Sequence, residues 1–384
     1  NSGNTAISGW TVTACTNMEG MFSDTPFNQS IDNWDITNVD GMGYMFASAI
    51  AFNQHFDSWD TSTVQSMFSM FDGATAFNQD ISHFDFSTIN ESFSFFSGVW
   101  QMFNGATSFN NGGSPNISGW TFPSTVTTFA NMFNRAFAFN QPIGSWDTQY
   151  ITNMSSMFSY TNTFNQDISG WNVSGVTNIN SMFNNAALFN QPIGSWDTSS
   201  VNTMNGFFAF AGAFDQDLGN WDTSNVTNMS SMFWRCSTFN NGGSPSISGW
   251  TTSACTSMQR MFDHFGAVST FNQPIGSWDV SNVVNMGNMF WHADTFNQDI
   301  SGWNVSGVTN MIDMLDNTAI SLDNYNSILT GWTGWDGTGA TKTLQSNVTF
   351  GVDGLTYSTG TTADDARNYL LTGLSWTING DIGV

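Results

Sequence analysis

The chain has very few basic residues. Its 384 residues include only five Lys and Arg against 29 Asp and Glu, which gives a formal net charge of −24. Proteins that bind nucleic acid need clusters of Lys and Arg to neutralise phosphates, and anionic membrane surfaces attract basic segments. The composition therefore argues against a nucleic-acid partner and favours cations or cationic partners.

Glutamate is almost absent as well. All but two of the acidic residues are Asp, the exceptions being Glu19 and Glu91. Helices usually draw on Glu, Lys, Ala and Leu, whereas Asn, Ser, Thr, Gly and Asp favour turns and short strands. No apolar run approaches the roughly 18 residues that a membrane-spanning helix needs. We therefore expect a protein with few helices and no direct membrane insertion.

Cysteine is scarce, with only Cys15, Cys236 and Cys255. None of them lies in a C-x-x-C pair, and an odd number cannot close a complete set of disulfides. Cys15 and Cys255 follow Ala and precede Thr at equivalent positions where other segments carry Val. We interpret them as buried apolar residues rather than as metal or redox sites.

The motifs of common enzyme classes are missing. The sequence has no H-E-x-x-H, no phosphate-binding loop of the Walker type and no G-x-S-x-G, and its four histidines share no motif. Asp is abundant, but no pair of carboxylates stands out, and a repeated position is a poor place for a unique catalytic group. We expect a protein that is not an enzyme and that needs no cofactor.

A repeat dominates what is present. The phrase FNQDISGWNVSGVTNINSMF at 164–183 recurs in variant form, and Phe-Asn-Gln or a close variant starts at Phe27, Phe52, Phe77, Phe109, Phe139, Phe164, Phe189, Phe214, Phe239, Phe271 and Phe296. Seven of these ten intervals are 25 residues, and each longer interval contains an insertion. A fixed period of this length is typical of a solenoid in which each repeat forms one coil.

Three insertions interrupt the period. NNGGSP occurs twice, at Asn110–Pro115 and Asn240–Pro245, where Gly and Pro indicate outward loops. The third, Ser92–Trp100, is apolar and could be an enlarged coil edge or an adhesive patch. We regard Asn110, Pro115, Asn240 and Pro245 as bounding candidate binding loops.

Within a coil, Ile-x-x-Trp-x-Val predicts a strand, and Val-x-x-Met-x-x-Met-Phe, with apolar residues every three positions, predicts a 3₁₀ or short helical turn. The predicted fold is a repeat solenoid of about twelve coils, with a parallel β-sheet on one side and short turns on the other. The Trp, Met-Phe and Asn positions are interpreted as core and as a buried Asn ladder rather than as ligand sites.

The period fades after Met311. The tail contains an amphipathic helix at Asp364–Leu371 and could cover the apolar end of the array. We predict a repeat solenoid over residues 1–318 and a C-terminal α+β cap over residues 319–384. No signal peptide is visible at Asn1, so we expect a mature or excised segment.

The repeat phrase resembles the signature of BspA-type bacterial leucine-rich-repeat surface proteins, in the 25-residue variant found in Mycoplasma lipoproteins. The resemblance covers about residues 5–315 and is close at 164–183 and at Trp221–Phe233. It implies a leucine-rich-repeat-like solenoid that is exported in the bacterial manner to the cell surface or the extracellular space. It also implies adhesion or ligand binding, and it assigns no catalytic residue to this chain.

The residue after each Trp is the candidate ligand-facing position. It alternates with the buried Trp, so it should face solvent, and seven coils carry an acid there: Asp35, Asp60, Asp85, Asp147, Asp197, Asp222 and Asp279. Three interpretations remain open: these carboxylates cap the following turn, bind Ca²⁺, or form an acidic surface for a cationic partner.

We therefore predict a non-enzymatic adhesion or ligand-binding module with a long acidic polar surface. Its partner would be a protein or a glycan at a surface, or a second copy of the chain. The alternative is a structural subunit that assembles into a surface fibre, because stacked repeats have complementary ends.

Overall fold

A computed structural model describes residues 7–92 and 98–384. The chain divides into two compact units, Asn1–Gln191 and Pro192–Val384. The predicted boundary at residue 318 lies inside the second unit and stays a prediction. Each unit is built from tandem repeats, and the second also contains the C-terminal α/β region.

Hydrogen bonds between residues about 25 positions apart hold the repeats together. In the first unit, the amides of Tyr44 and Phe46 donate to the carbonyls of Phe68 and Met70 at 3.0 and 2.9 Å. The intervening amides turn back within their own repeat, as where Met45 donates to the Met42 carbonyl at 3.2 Å. This alternation satisfies the backbone of a buried segment without a helix or a continuous strand.

The alternation depends on left-handed residues. Most repeats have two such positions four residues apart, as at Tyr44 and Ser48, both with φ of 55°. A residue with positive φ turns the backbone sharply, so that successive amides bond alternately to the next repeat and within their own. The turns predicted for Val-x-x-Met-x-x-Met-Phe are therefore present, although they are not 3₁₀ helices.

The strand predicted over Ile-x-x-Trp-x-Val is wrong in the described repeats. There the Trp171 amide donates to the Ile168 carbonyl at 3.1 Å, which closes a turn instead. Parallel pairing occurs a few residues later as isolated bridges, such as Asn153 to Asn178 in the first unit and Asn228 to Ser257 in the second. Left-handed residues on the Met side and turns on the Trp side restrict the pairing to single positions.

Stacked aromatic side chains form the core of both units. In the first unit, Phe158 lies 4.0 Å from Phe164 of its own repeat and 5.7 Å from Phe183 of the next. In the second unit, the corresponding distances from Phe233 to Phe239 and Phe262 are 3.8 and 5.5 Å. Met side chains, which are flexible, fill the gaps between these rings.

The Trp column belongs to this core. Its members from Trp34 to Trp303 are at most 4% exposed. The indole N–H of Trp171 donates to the Ile143 carbonyl at 3.0 Å, and Trp278 makes the same bond to Ile247 at 2.9 Å. Burial and the shared hydrogen bond confirm the interpretation as core.

The NNGGSP insertions contain short 3₁₀ segments, at Asn111–Gly113 and Asn116–Gly119 in the first unit and at Asn241–Gly243 and Pro245–Gly249 in the second. Asn241 is fully buried, accepts a bond from the Leu218 amide at 2.8 Å and donates to the Ser244 carbonyl at 2.7 Å. This side chain fixes the start of the loop against the preceding repeat.

Within the described residues, α-helices occur only near the C-terminus. Helix α1 spans Leu322–Thr333 and helix α2 spans Thr362–Gly373. Strands β1 (Thr349–Gly351) and β3 (Thr377–Asn379) pair in parallel, as do β2 (Thr356–Tyr357) and β4 (Ile382–Gly383). The predicted helix at Asp364–Leu371 is confirmed within α2, whereas α1 was not predicted.

The C-terminal region continues the contacts of the repeats. The Trp332 indole on α1 donates to the Ile300 carbonyl at 3.0 Å, in the manner of the column Trp residues. Strand β1 follows the turn segment, because the Leu315 amide donates to the Gly351 carbonyl at 3.0 Å. A Cβ at Gly351 would lie 2.3 Å from the Asp313 nitrogen, so this approach requires glycine.

Candidate functional site

The carboxylates after the column Trp residues share one geometry. In each, Oδ1 accepts the backbone N–H two residues later, as from Asp60 to Ser62 at 3.0 Å and from Asp279 to Ser281 at 3.0 Å. The same bond occurs at Asp35, Asp85, Asp147, Asp197 and Asp222. These side chains therefore cap the turn after Trp, which is one of the three arrangements that the sequence allows.

These seven carboxylates form what we call the acidic row of each unit: Asp35, Asp60, Asp85 and Asp147 in the first, and Asp197, Asp222 and Asp279 in the second. Asp85 is half-buried and the other six are exposed. In the first unit, the Asp85 amide donates to the hydroxyl of Thr61, the residue after Asp60, at 2.7 Å. This bond connects the turns that carry two adjacent members of the row.

Hydrogen bonds keep several of these groups ionised. The Ser62 hydroxyl and amide lower the pKa of Asp60, and Ser224 does the same for Asp222. The pKa values of Asp35, Asp197 and Asp279 are lowered in the same way by the residue two positions on. The negative charge of Asp197 acts in the opposite direction and raises the pKa of Asp222. These two carboxylates of the row therefore repel each other.

The charge at this position is not needed for the turn. Asn172 stands in the same position and accepts the Ser174 amide at 3.1 Å, and Asn304 accepts the Ser306 amide at 3.2 Å. A neutral amide oxygen thus makes the same cap. The negative charge carried by the other seven coils is available for another role.

Calcium coordination requires six to eight oxygens around one ion. Across residues 7–92 and 98–384, no cluster of three or more His, Cys, Asp or Glu could hold a metal ion. In the acidic row, one oxygen of each carboxylate already accepts a backbone amide. Calcium binding by the acidic rows stays a prediction.

The loop residues fall into two groups. Asn110 and Asn240 are half-buried members of the Asn ladder, and their Oδ1 atoms accept the amides of Asn140 and Asn272 at 3.0 Å. Pro115 and Pro245 are exposed. Asn110 and Asn240 therefore anchor the insertions, and the prolines lie where a partner could reach them.

The apolar insertion at Ser92–Trp100 is largely outside the described residues, which omit 93–97. Of its remaining members, Val99 is buried and Trp100 is half-buried. Its predicted role as an enlarged edge or adhesive patch stays a prediction.

The second unit has a surface that sequence reasoning missed. We call it the aromatic–arginine strip, and it consists of Phe210, Trp234, Arg235, Arg260, Phe265 and Trp291. The Arg235 guanidinium lies 5.5 Å from the Phe210 ring centre and that of Arg260 lies 5.2 Å from the Trp234 ring centre. Phe265 stacks on Trp291 at 4.3 Å and is 50% exposed. The scarcity of arginine was the signal that could have found it.

A further irregular segment, Asp263 to Ser269, presents Phe265. Arg235 Nε donates to the Phe265 carbonyl at 2.8 Å. Behind it, Asp263 and His264 are each 1% exposed, and His264 Nδ1 has no partner among the described residues. Burial lowers the pKa of His264 to about 4, so this ring is neutral at pH 7. Burial also raises the pKa of Asp263.

Cys236 and Cys255 have little nucleophilic character, whereas Cys15 is half-buried, so its predicted full burial is wrong. Cys236 and Cys255 are buried, and burial raises the pKa of the Cys255 thiol to about 11 and that of Cys236 further. A reactive thiol needs a lowered pKa and access to solvent. Neither cysteine offers a catalytic group, as expected for apolar core positions.

Among the helices of the described residues, none has the length and apolar character needed to cross a membrane. One family model, described as Mycoplasma protein of unknown function, DUF285, matches four overlapping segments that together span most of the chain: residues 1–101, 97–186, 163–267 and 244–346. The chain belongs to the DUF285 family. No curated protein matches this DUF285 chain.

The four DUF285 matches confirm the tandem repeat and its relation to Mycoplasma-type repeat proteins. Each matched segment is several times longer than the 25-residue period, so one family unit contains several of the coils seen here. The last match ends at residue 346, beyond helix α1. The segment that contains α1 is thus part of the family pattern.

Proposed function

We propose that this DUF285 protein is a non-enzymatic binding or adhesion module whose acidic rows bind a cationic partner. The observation that supports it most strongly is the surplus charge of the rows. Each Asp caps its turn through one oxygen, a bond that Asn172 and Asn304 make without charge. The carboxylates thus add negative charge at a spacing fixed by the repeat.

The proposed architecture is a leucine-rich-repeat-like solenoid of about twelve coils, closed at its C-terminal end by the α/β region. In support, equivalent residues of adjacent repeats stack and bond throughout each unit, and helix α1 continues the Trp contact. Such an array presents one side chain per coil at regular intervals, which suits multivalent contact.

The proposed location is the cell surface or the extracellular space, after export of the bacterial type. The resemblance of the repeat phrase to BspA-type surface proteins supports this location. A net charge of −24 would repel nucleic acids and anionic lipids. Cationic segments of other proteins would be attracted.

Titration calorimetry with a lysine-rich peptide tests the proposal. Asp35→Asn, Asp60→Asn and Asp85→Asn together remove three row charges and keep the turn caps, because Asn occupies this position naturally. We expect at least about a tenfold loss of affinity, as is typical when several contacting charges are removed.

A charge-matched control separates the effect of the row charges on peptide binding from the effect of the net charge. Asp57, Asp323 and Asp365 are exposed and lie outside the rows, so changing each of them to Asn removes the same net charge. We expect this control to bind the peptide within about threefold of the wild type, since distant charges are screened. Equal losses in both triple variants would contradict the proposal.

A further inference from the structure

We propose that the aromatic–arginine strip of the second unit docks on the acidic row of a second copy of this chain. This inference rests on the proposed function, because it names the cationic partner of the row. It concerns a surface that no family property assigns. The contact would join two different surfaces, the strip of one copy and the row of the other.

Three residues of the strip have left-handed backbone conformations that bulky side chains rarely adopt. Phe210, Arg235 and Arg260 have φ of 60°, 56° and 57°. Non-glycine residues in this region cost about 1 kcal/mol, and Asn is among the side chains that tolerate it best. The chain itself uses Asn185 at the position equivalent to Phe210 and Arg235, and Asn288 at the position equivalent to Arg260. These three side chains therefore stand on backbone that other residue types tolerate better, which makes their replacement by Asn a mild substitution.

The two guanidinium groups are held in place. The Phe210 and Trp234 rings support them from below, and these two rings contact each other edge to face at 4.6 Å. Gly266 lies so close that a Cβ there would be 2.4 Å from Arg235 Nη2. An immobilised guanidinium loses less entropy on binding a carboxylate than a flexible one.

The charges of the strip are nearly unused within the chain. Among the described residues, no carboxylate lies within ion-pair distance of Arg235, and Arg260 reaches only the buried Asp263, at 3.9 Å. Of the other cations of the second unit, Arg367 pairs with Asp381 and Lys342 donates to the Gly331 carbonyl. The strip thus holds two guanidinium groups over neighbouring aromatic rings, whereas Lys342 is a single ammonium group.

The row and the strip both span adjacent repeats. Arg235 and Arg260 lie in adjacent repeats at positions that are not equivalent, and Asp35 and Asp60 lie in adjacent repeats at equivalent positions. The strip therefore offers two guanidinium groups to a surface that carries a carboxylate on each of several repeats, and Arg–carboxylate pairs are strong when bidentate.

The composition of the strip favours a protein partner over a sugar. Trp, aromatic and Arg side chains dominate the energetics of protein interfaces. A sugar would need open ring faces for stacking, but guanidinium groups lie over Phe210 and Trp234, and Phe265 covers Trp291. A contact between two different surfaces leaves one of each open on the pair, so it can continue into a filament. This contact would supply the fibre alternative with a defined interface.

Analytical ultracentrifugation of the full chain in about 0.15 M salt, where charges interact over about 8 Å, tests the inference. The wild type should associate as its concentration rises to about 200 µM, which detects contacts of micromolar strength. Arg235→Asn with Arg260→Asn should weaken association at least about tenfold. Both changes place Asn where the repeat already accepts it.

Arg135→Asn is the matched control, because Arg135 has φ of 59°, lies 5.4 Å from the Tyr160 ring and stands at the position equivalent to Arg235. It should associate like the wild type. The triple variant Asp35→Asn, Asp60→Asn and Asp85→Asn should be defective alone. Mixed with the double arginine variant, it should form a one-to-one pair, since each supplies the surface that the other retains.

A wild type that stays monomeric up to about 200 µM overturns the inference, as does a double arginine variant that matches Arg135→Asn. Binding of the lysine-rich peptide separates this failure from that of the proposed function. The double arginine variant should bind the peptide like the wild type. If it does while the wild type is monomeric, the acidic row binds cations but the strip is not its partner.

Discussion

Most column Trp residues link their repeat to the preceding one through the indole N–H, although the buried indole nitrogen of Trp120 has no partner among the described residues. Trp171 shows both parts of this role, because it is 3% exposed and donates to the Ile143 carbonyl. Phe84 fills the equivalent position in another repeat at the same burial. The ring volume is therefore the larger contribution and the hydrogen bond the smaller one.

We predict that Trp171→Phe lowers the free energy of unfolding by about 1–2 kcal/mol, since it removes one hydrogen bond and a little volume. Trp171→Ala should lower it by about 3–5 kcal/mol because it leaves a cavity. Urea unfolding measures both. Trp10, which is 59% exposed, provides the control, and Trp10→Phe should change stability by less than about 0.5 kcal/mol. Equal effects at Trp10 and Trp171 would show that burial is not the cause.

The acidic row makes stability depend on pH. The pKa values of Asp60, Asp197 and Asp222 are lowered in the folded chain, first by the hydroxyl and then by the amide of the residue two positions on. A lowered folded pKa stabilises the protein above the unfolded value near 4, and this contribution disappears as the pH falls through the folded pKa.

Changing these three Asp residues to Asn should therefore remove part of the acid sensitivity. The wild type should lose more stability than the variant between about pH 5 and pH 3, by a small amount because the groups are exposed. Urea midpoints at the two pH values measure the difference. A constant difference between wild type and variant at both values would mean that these carboxylates do not control the acid response.

At the scale of elements, periodicity predicted the buried columns and the helix at Asp364–Leu371, because apolar spacing reports directly which residues face a core. It misplaced the strand, because Ile168 and Trp171 close a turn through a backbone hydrogen bond that apolar spacing does not reveal. Helix α1 was missed because it is rich in Asn, Ser and Thr. Its apolar Tyr325, Ile328 and Trp332 are spaced as one face.

The acidic row could be predicted from its alternation with Trp, and its turn-capping geometry was among the alternatives. The scarcity of arginine singles out Arg235 and Arg260, but the strip as a surface could not be predicted, because its members become neighbours only when repeats of unequal length stack. Arg235 and Phe265 are 30 residues apart, not 25, owing to the inserted segment. The structure was needed to show that this insertion brings them into contact.

A buried ion pair anchors the C-terminal region. Arg367 donates two hydrogen bonds to Asp381, at 2.7 and 2.6 Å, and the Tyr325 hydroxyl donates to the same carboxylate at 2.8 Å. The Asp381 side chain is 1% exposed. This network connects α1 and α2 with the loop between β3 and β4.

We predict that Arg367→Ala lowers the free energy of unfolding by about 3–5 kcal/mol, because it leaves a buried carboxylate without its partner. Arg367→Lys should lower it by less, since a single ammonium cannot form both bonds. Calorimetry or urea unfolding measures the losses, and Arg135→Asn on an exposed surface gives the baseline. A loss below about 1 kcal/mol for Arg367→Ala would show that the pair does not anchor the region.

At the scale of the whole molecule, the uncharged and the charged positions of the repeat differ in what they contribute. The aromatic and Met positions are buried and bond to neighbouring repeats within each unit, so they form its structure. The Asp after each Trp is outside that core, and Asn can replace it in the turn. We therefore propose that the acidic rows bind a partner, whereas the columns beside them maintain the fold.

Carboxylate footprinting tests this assignment most directly. The full chain would be labelled with a carbodiimide and an amine, with and without a saturating lysine-rich peptide, and the labelled positions read by mass spectrometry. We predict that the peptide protects the exposed row members Asp35, Asp60, Asp222 and Asp279, while Asp57, Asp323 and Asp365 keep their labelling. Protection spread evenly over all exposed carboxylates, or absent from the rows, would contradict the account.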